Sequence, residues 1–144
     1  MSLNSIEEIA SYIVSEGKGI LAADESNPTC GKRFDSIGVE STESNRRDYR
    51  EMLFRSKGMK GNIGGVILFD ETIRQNAKDG TPLINIIEDQ GALPGIKVDK
   101  GLQPIGDSAE TVTVGLEGLD KRLKEYAAMG AKFTKWRAVI KIGN

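Results

Sequence analysis

Short apolar runs alternate with amphipathic stretches along the whole chain, and that alternation restricts the fold more than any other feature. Gly19-Ile20-Leu21-Ala22-Ala23 and Ile63-Gly64-Gly65-Val66-Ile67-Leu68-Phe69 are too short and too continuously apolar for surface helices. Runs of this kind suit strands buried on both faces of a parallel sheet. Gly95-Ile96-Lys97-Val98-Asp99 is a third strand, set off by Pro94, and residues 133–142 form a fourth. Helices are expected over 6–16, 42–56 and 114–129. The first opens on a capping box from Ser5 to Glu8 and stops at Gly17, while the last places Leu116, Leu119, Leu123 and Ala127 on one face. Between the second and third strands, Thr81 as a cap and Pro82 at the first helical position mark another helix. Residues 24–41 read as a polar connection.

Strand and helix in alternation define an α/β fold with a parallel sheet. At 144 residues the chain suits one domain over 1–144. A doubly wound domain would fit this length, whereas a complete (β/α)8 barrel takes about 250 residues. The sequence ends at Gly143-Asn144, directly after a strand and without a helix to cover it, which favours a partial barrel.

Composition narrows the function classes. Net charge is −1, with no basic run, so neither nucleic acid nor a membrane surface is an expected partner. There is no histidine, which removes histidine-based triads and metal sites. Cys30 is the one cysteine, so no disulfide framework forms within the chain, and without a histidine partner it reads as an inert side chain. No signal-like segment or membrane span is legible, and a cytoplasmic location is expected.

Chemistry is sought at the C-terminal ends of the strands, where parallel α/β sheets carry their sites. These ends carry Asp24-Glu25-Ser26, Asp70-Glu71, then Lys97, Asp99 and Lys100, then Lys135 and Arg137. With a two-residue period, Phe133, Lys135, Arg137, Val139 and Lys141 share one face of the fourth strand, and Thr134, Trp136, Ala138, Ile140 and Ile142 the other. The cationic face either points into a barrel, where it needs anions, or is a solvated edge. Lys97 either reaches a phosphate or pairs with Asp99 or Asp24, and Asp24 either orients a hydroxyl or caps the following turn. Ser26, Thr29, Lys32 and Arg33 could cradle a phosphate. No Walker A or dinucleotide fingerprint is present. Gly64-Gly65 reads as close packing, and Arg46 and Arg47 as a charged helix face.

Gly17-Lys18-Gly19-Ile20-Leu21-Ala22-Ala23-Asp24-Glu25-Ser26, Asn45-Arg46-Arg47-Asp48-Tyr49-Arg50, Gly64-Gly65-Val66-Ile67-Leu68-Phe69, Gly95-Ile96-Lys97-Val98-Asp99-Lys100-Gly101 and Lys135-Trp136-Arg137 together resemble class I fructose-bisphosphate aldolases. The resemblance spans nearly the whole chain in order. It implies the first four strands, with their helices, of a TIM (β/α)8 barrel. It also implies reversible cleavage of fructose 1,6-bisphosphate to two triose phosphates through a lysine Schiff base, with no metal or other cofactor. The roles implied are catalytic for Asp24 and Lys135, and substrate or phosphate binding for Ser26, Thr29, Arg33, Arg46, Lys97 and Arg137. Many relatives carry Thr-Gly-Ser where this chain has Asn27-Pro28-Thr29, so the hydroxyl is kept on an altered turn. The family's Schiff-base lysine and acid/base glutamates belong to strands beyond these four. The 144 residues alone are therefore expected to be inactive, or to act as a half-barrel that joins a complementary half or a second copy. The family habit is a homotetramer.

Overall fold

A computed structural model describes residues 3, 5–140 and 142. The expected alternation is present. Helix α1 (Ile6–Ile13) leads to β1 (Gly19–Ala23), α2 (Asn27–Asp35) and α3 (Glu43–Phe54) to β2 (Ile63–Leu68), and α4 (Asp70–Ile73) and α5 (Leu83–Asp89) to β3 (Leu93–Lys97). A hairpin of β4 (Leu102–Pro104) and β5 (Thr111–Thr113) follows, then α6 (Leu119–Ala128) and β6 (Phe133–Lys135). The main sheet has the order β1-β2-β3-β6, with every neighbour parallel. Strands added always on the same side, through right-handed crossovers, put all crossover helices on one face. A doubly wound domain would reverse direction partway. The order therefore matches a segment of a barrel wall.

Burial separates the two faces. Ala23, Val66, Leu68, Ile96 and Val98 point toward the helices and join a core with Phe54, Leu83, Ile86 and Ile87. The opposite face carries the register row Ala22, Ile67, Gly95 and Phe133, and it is open enough to leave Ile20 43% exposed. Glycine has a steric purpose here. A Cβ on Gly95 would stand 2.4 Å from the Phe133 ring, and one on Gly64 would stand 2.5 Å from the Ile13 carbonyl oxygen. The Gly64-Gly65 pair is thus the close packing expected of it, letting α1 seat against β2.

Several boundaries differ from expectation. The capping box on α1 forms as expected, with Glu8 N donating to Ser5 Oγ at 3.1 Å and Ser5 N to Glu8 Oε2 at 3.1 Å, but the helix ends at Ile13. The polar stretch after Asp24 contains α2, whose only buried side chains are Cys30 and Phe34; two apolar residues one turn apart are too thin a stripe to stand out as a period. Pro82 occupies the cap position of α5, not its first turn. The helix expected from residue 114 begins at Leu119, because Gly115 and Gly118 take positive φ and Thr111, Val112 and Thr113 prefer a strand. Leu116 is accordingly 71% exposed, away from the helix face expected for it.

The fourth strand of the sheet also stops early, at Lys135. Its neighbour β3 ends at Lys97 and turns away into the hairpin, so past Lys135 the chain has no ladder to continue. Trp136 still packs on the core, but Ile140 is 84% exposed and Ile142 93%, so the expected apolar face under helices does not extend that far. Lys141 and the terminal Gly143-Asn144 lie outside the described residues.

Candidate active site at the strand ends

The C-terminal ends of the four parallel strands open into a cleft of about 860 Å³. Among its lining residues are Asp24, Ser26, Thr29, Lys97, Lys135 and Arg137. These six come from three separate stretches of the sequence and meet only because the strands lie side by side in register.

Lys135 ends β6 and stands in register beside Lys97 of β3. Two ammonium groups so placed repel each other unless each has its own anion. Lys135 Nζ donates to Asp24 Oδ2 at 2.8 Å, a contact between the sheet's outermost strands. Lys97 Nζ donates to Asp99 Oδ1 at 2.6 Å and to the Asp99 carbonyl at 3.0 Å. The Asp99 side chain is 1% exposed. Burial pushes its carboxyl up, but the bonds from Lys97 and from the backbone N–H groups of Arg137 and Gly101 outweigh that and hold it below the usual carboxylate range. Lys97 therefore takes the structural partner, Asp99, that its sequence context also allowed.

Ser26 is the cap residue of α2, and its hydroxyl lies 3.1 Å from that of Thr29. Neither hydroxyl caps the helix backbone, so both remain at the cleft. Pro28 in the first turn of α2 fixes the backbone between them. Arg137 donates its backbone N–H to Asp99 Oδ2 at 3.2 Å, and its guanidinium makes no ion pair among the described residues.

Arg33 and Arg46 do not line the cleft. Arg33 is an exposed cation bonded to Glu25 and, at 3.0 Å, to the Tyr49 hydroxyl. Arg46 holds Glu71 through Nε at 2.8 Å and Nη2 at 2.7 Å, and gives Nη1 to the Ser41 carbonyl at 2.5 Å. That fork keeps the Glu71 carboxyl well below its ordinary range, against a smaller upward push from burial.

Arg74, Arg122, Glu125 and Tyr126, which the sequence did not single out, complete the rim around Asp70. Tyr126 donates to Asp70 Oδ1 at 2.8 Å, and Arg74 joins Asp70 at 2.9 Å to Glu125 at 2.6 Å. Arg122 bonds the carbonyls of Val98 and Gly115, tying α6 to the ends of β3 and the hairpin. Their sequence signal is faint, because charged residues on short helices usually face solvent. Among the described residues, no group of three or more His, Cys, Asp or Glu side chains is arranged to hold a metal ion, and no helix is long and apolar enough to cross a membrane.

A barrel-wall segment with acids and lysines converging at its strand ends defines the class: part of a (β/α)8 fold with a polar cleft at the strand ends. Comparison with known proteins specifies it further. The sequence model of the family described as fructose-bisphosphate aldolase class-I matches residues 5–144. A probable class 1 fructose-bisphosphate aldolase of Xanthomonas campestris is 54% identical over 144 residues, covering 99% of this chain and 43% of the relative. The cytosolic fructose-bisphosphate aldolase 6 of Arabidopsis thaliana is 56% identical over 135 residues, 93% of this chain and 38% of its own. The chloroplastic fructose-bisphosphate aldolase 1 of Chlamydomonas reinhardtii matches as well, at 52% identity over 134 residues. A structure of fructose-bisphosphate aldolase from Plasmodium falciparum, solved in complex with TRAP and a small-molecule inhibitor, superposes with a TM-score of 0.87 at 50% identity, over 90% of this chain and 38% of that one. The chain belongs to the class I fructose-bisphosphate aldolase family. It spans well under half the length of these relatives, and its fold is part of their barrel.

Proposed function

We propose that residues 1–144 form one domain portion that supplies the first four strands, and with them half of the active site, of an enzyme that reversibly cleaves fructose 1,6-bisphosphate. The carrying observation is the Asp24–Lys135 contact at 2.8 Å, beside Lys97 and the Ser26 and Thr29 hydroxyls in one cleft. In the reaction, a lysine amine condenses with the C2 ketone and releases water. The resulting iminium accepts the electron pair of the C3–C4 bond as it breaks, and a carboxylate takes the C4 hydroxyl proton. The resemblance puts that lysine and that carboxylate on later strands, so these 144 residues act through orientation and charge. Lys135 assists addition and loss of water at C2, and Asp24 orients it and the substrate hydroxyls. Ser26 and Thr29 hydroxyls, with Lys97, bind one phosphate, and Arg137 adds a cation not yet paired. Arg33 and Arg46 stand further out, where Arg33 holds Glu25 beside Asp24 and Arg46 holds Glu71. The enamine left on the lysine is then protonated at C3 and its Schiff base hydrolysed, which frees the amine and gives two triose phosphates in all. No metal or cofactor is needed by this route, the whole protein works in the cytoplasm, and it follows its family in forming a tetramer.

A chimera tests this: residues 1–144 joined to the remainder of the Xanthomonas campestris relative. Cleavage of fructose 1,6-bisphosphate with borohydride trapping is expected, and so is its loss in Lys135→Met. An active Lys135→Met chimera would refute the assignment.

A second reading rests on the open face. The edges β1 and β6 leave backbone groups unpaired, and the face bearing Ile20 is uncovered. The 144-residue chain is thereby suited to assemble with a complementary half-barrel or with a second copy. A stable, monodisperse monomer in sedimentation would count against it.

A further inference from the structure

Arg50 is the largest fully buried side chain among the described residues, only 2% exposed, although it is an arginine on a helix otherwise rich in charge. A guanidinium taken out of water is costly unless its donors are all used. Its donors go to one place. Nε reaches the Ala23 carbonyl at 2.8 Å, Nη2 the Glu25 carbonyl at 2.9 Å, and Nη1 the Cys30 sulfur at 3.2 Å. Nη2 also lies 3.0 Å from Glu25 Oε2, which has ion-pair distance but no aligned hydrogen bond.

The two carbonyls belong to the residues on either side of Asp24. One rigid, planar fork therefore clamps the backbone before and after the carboxylate that meets Lys135. The third contact, to Cys30, ties the first turn of α2, where Thr29 sits, to the same fork. A lysine here would offer a single nitrogen, which cannot span these three acceptors.

We propose that Arg50 is a positioning residue for the aldol reaction, acting through Asp24 by fixing the end of β1 and the start of α2. This rests on the function proposed above. Loss of the fork lets Asp24 drift relative to Lys135, and misplacement by about 1 Å can lower turnover roughly a hundredfold.

The test uses the chimera with Arg50→Lys and Arg50→Ala. Turnover is scored per folded molecule, with the folded fraction read from the size-exclusion peak and the cooperative melt. The expected result is a kcat loss on the order of a hundredfold with KM for fructose 1,6-bisphosphate changed much less. Free guanidinium should restore part of the loss in Arg50→Ala. The loss should not add to that of Asp24→Asn, since both act on one carboxylate. Normal kcat per folded molecule with a lowered melting temperature would make Arg50 merely structural and overturn the proposal. So would the absence of folded protein in both variants, or losses that add fully. An inactive chimera with Arg50 intact would instead count against the proposed function.

Discussion

Asp99→Asn is the most informative single change for the cleft, because Asp99 is buried and holds three donors at once. Oδ1 accepts from Lys97 Nζ at 2.6 Å and from Gly101 N at 3.2 Å, and Oδ2 accepts from Arg137 N at 3.2 Å. An asparagine keeps the shape but has one acceptor oxygen. If that oxygen stays on Lys97 and Gly101, its amide group faces the Arg137 N–H, donor against donor; if it flips, the amide faces an ammonium. The first arrangement loses one hydrogen bond and the flipped one two, and in both the partly buried Lys97 charge loses its anion. One unsatisfied donor costs about 1–3 kcal/mol, and the lost charge adds to it. Lys97 is 19% exposed and recovers some hydration, so the net expectation is about 2–3 kcal/mol. With a urea m-value of about 2 kcal/mol/M, the unfolding midpoint should fall by roughly 1 M. The pH dependence has a defined sign. The folded carboxyl sits below its ordinary range, so its contribution is complete above the unfolded value, about 3.9, and is lost as pH falls through the lower folded value. The gap between parent and variant should therefore close on acidification. Urea titrations of the 144-residue chain at neutral and acidic pH measure both effects. A gap under about 0.5 kcal/mol at neutral pH, or one that persists in acid, would refute this account of Asp99.

Three further outcomes are expected. Gly64→Ala drives a methyl group against the Ile13 backbone and should destabilise the chain by about 1–3 kcal/mol; a urea midpoint equal to the parent's would show that α1 seats elsewhere. Glu71→Gln should cost about 1–2 kcal/mol at neutral pH through the weakened Arg46 fork, with the difference fading below the ordinary glutamate range of about 4.3 because the folded carboxyl is held below it. Thr113→Val removes the 2.7 Å bond from the Thr113 hydroxyl to the Arg137 carbonyl, so amide exchange in the β4–β5 hairpin should quicken while β2 and β3 keep their protection.

The sheet was legible because its strands are short, apolar and punctuated by glycine, a pattern that survives without tertiary information. Its curvature was less so: Gly95 and Phe133 lie far apart in sequence, and only the register reveals that one makes room for the other's ring. The β4–β5 hairpin escaped notice since Leu102–Pro104 and Thr111–Thr113 are exposed three-residue strands without a buried face. For the cleft, strand-end position alone pointed to Asp24, Lys97 and Lys135. Sequence could not say which anion each lysine would take, because Asp24 and Asp99 were equally open to Lys97. Arg50 shows the limit most clearly. Within Arg46-Arg47-Asp48-Tyr49-Arg50 it looks like one more solvated charge, and only packing against β1 makes it the buried member.

The central claim, that groups from four strand ends form one receptor for a phosphorylated ketose, is tested most directly by amide chemical-shift mapping. Fructose 1,6-bisphosphate at millimolar concentration is titrated into the isotopically labelled chain. Shifts should gather at Ser26, Thr29, Lys97, Gly101 and Arg137, and weaken in Lys135→Met. Shifts at the opposite end of the sheet, around Gly61 and Gly91, or none anywhere, would contradict it.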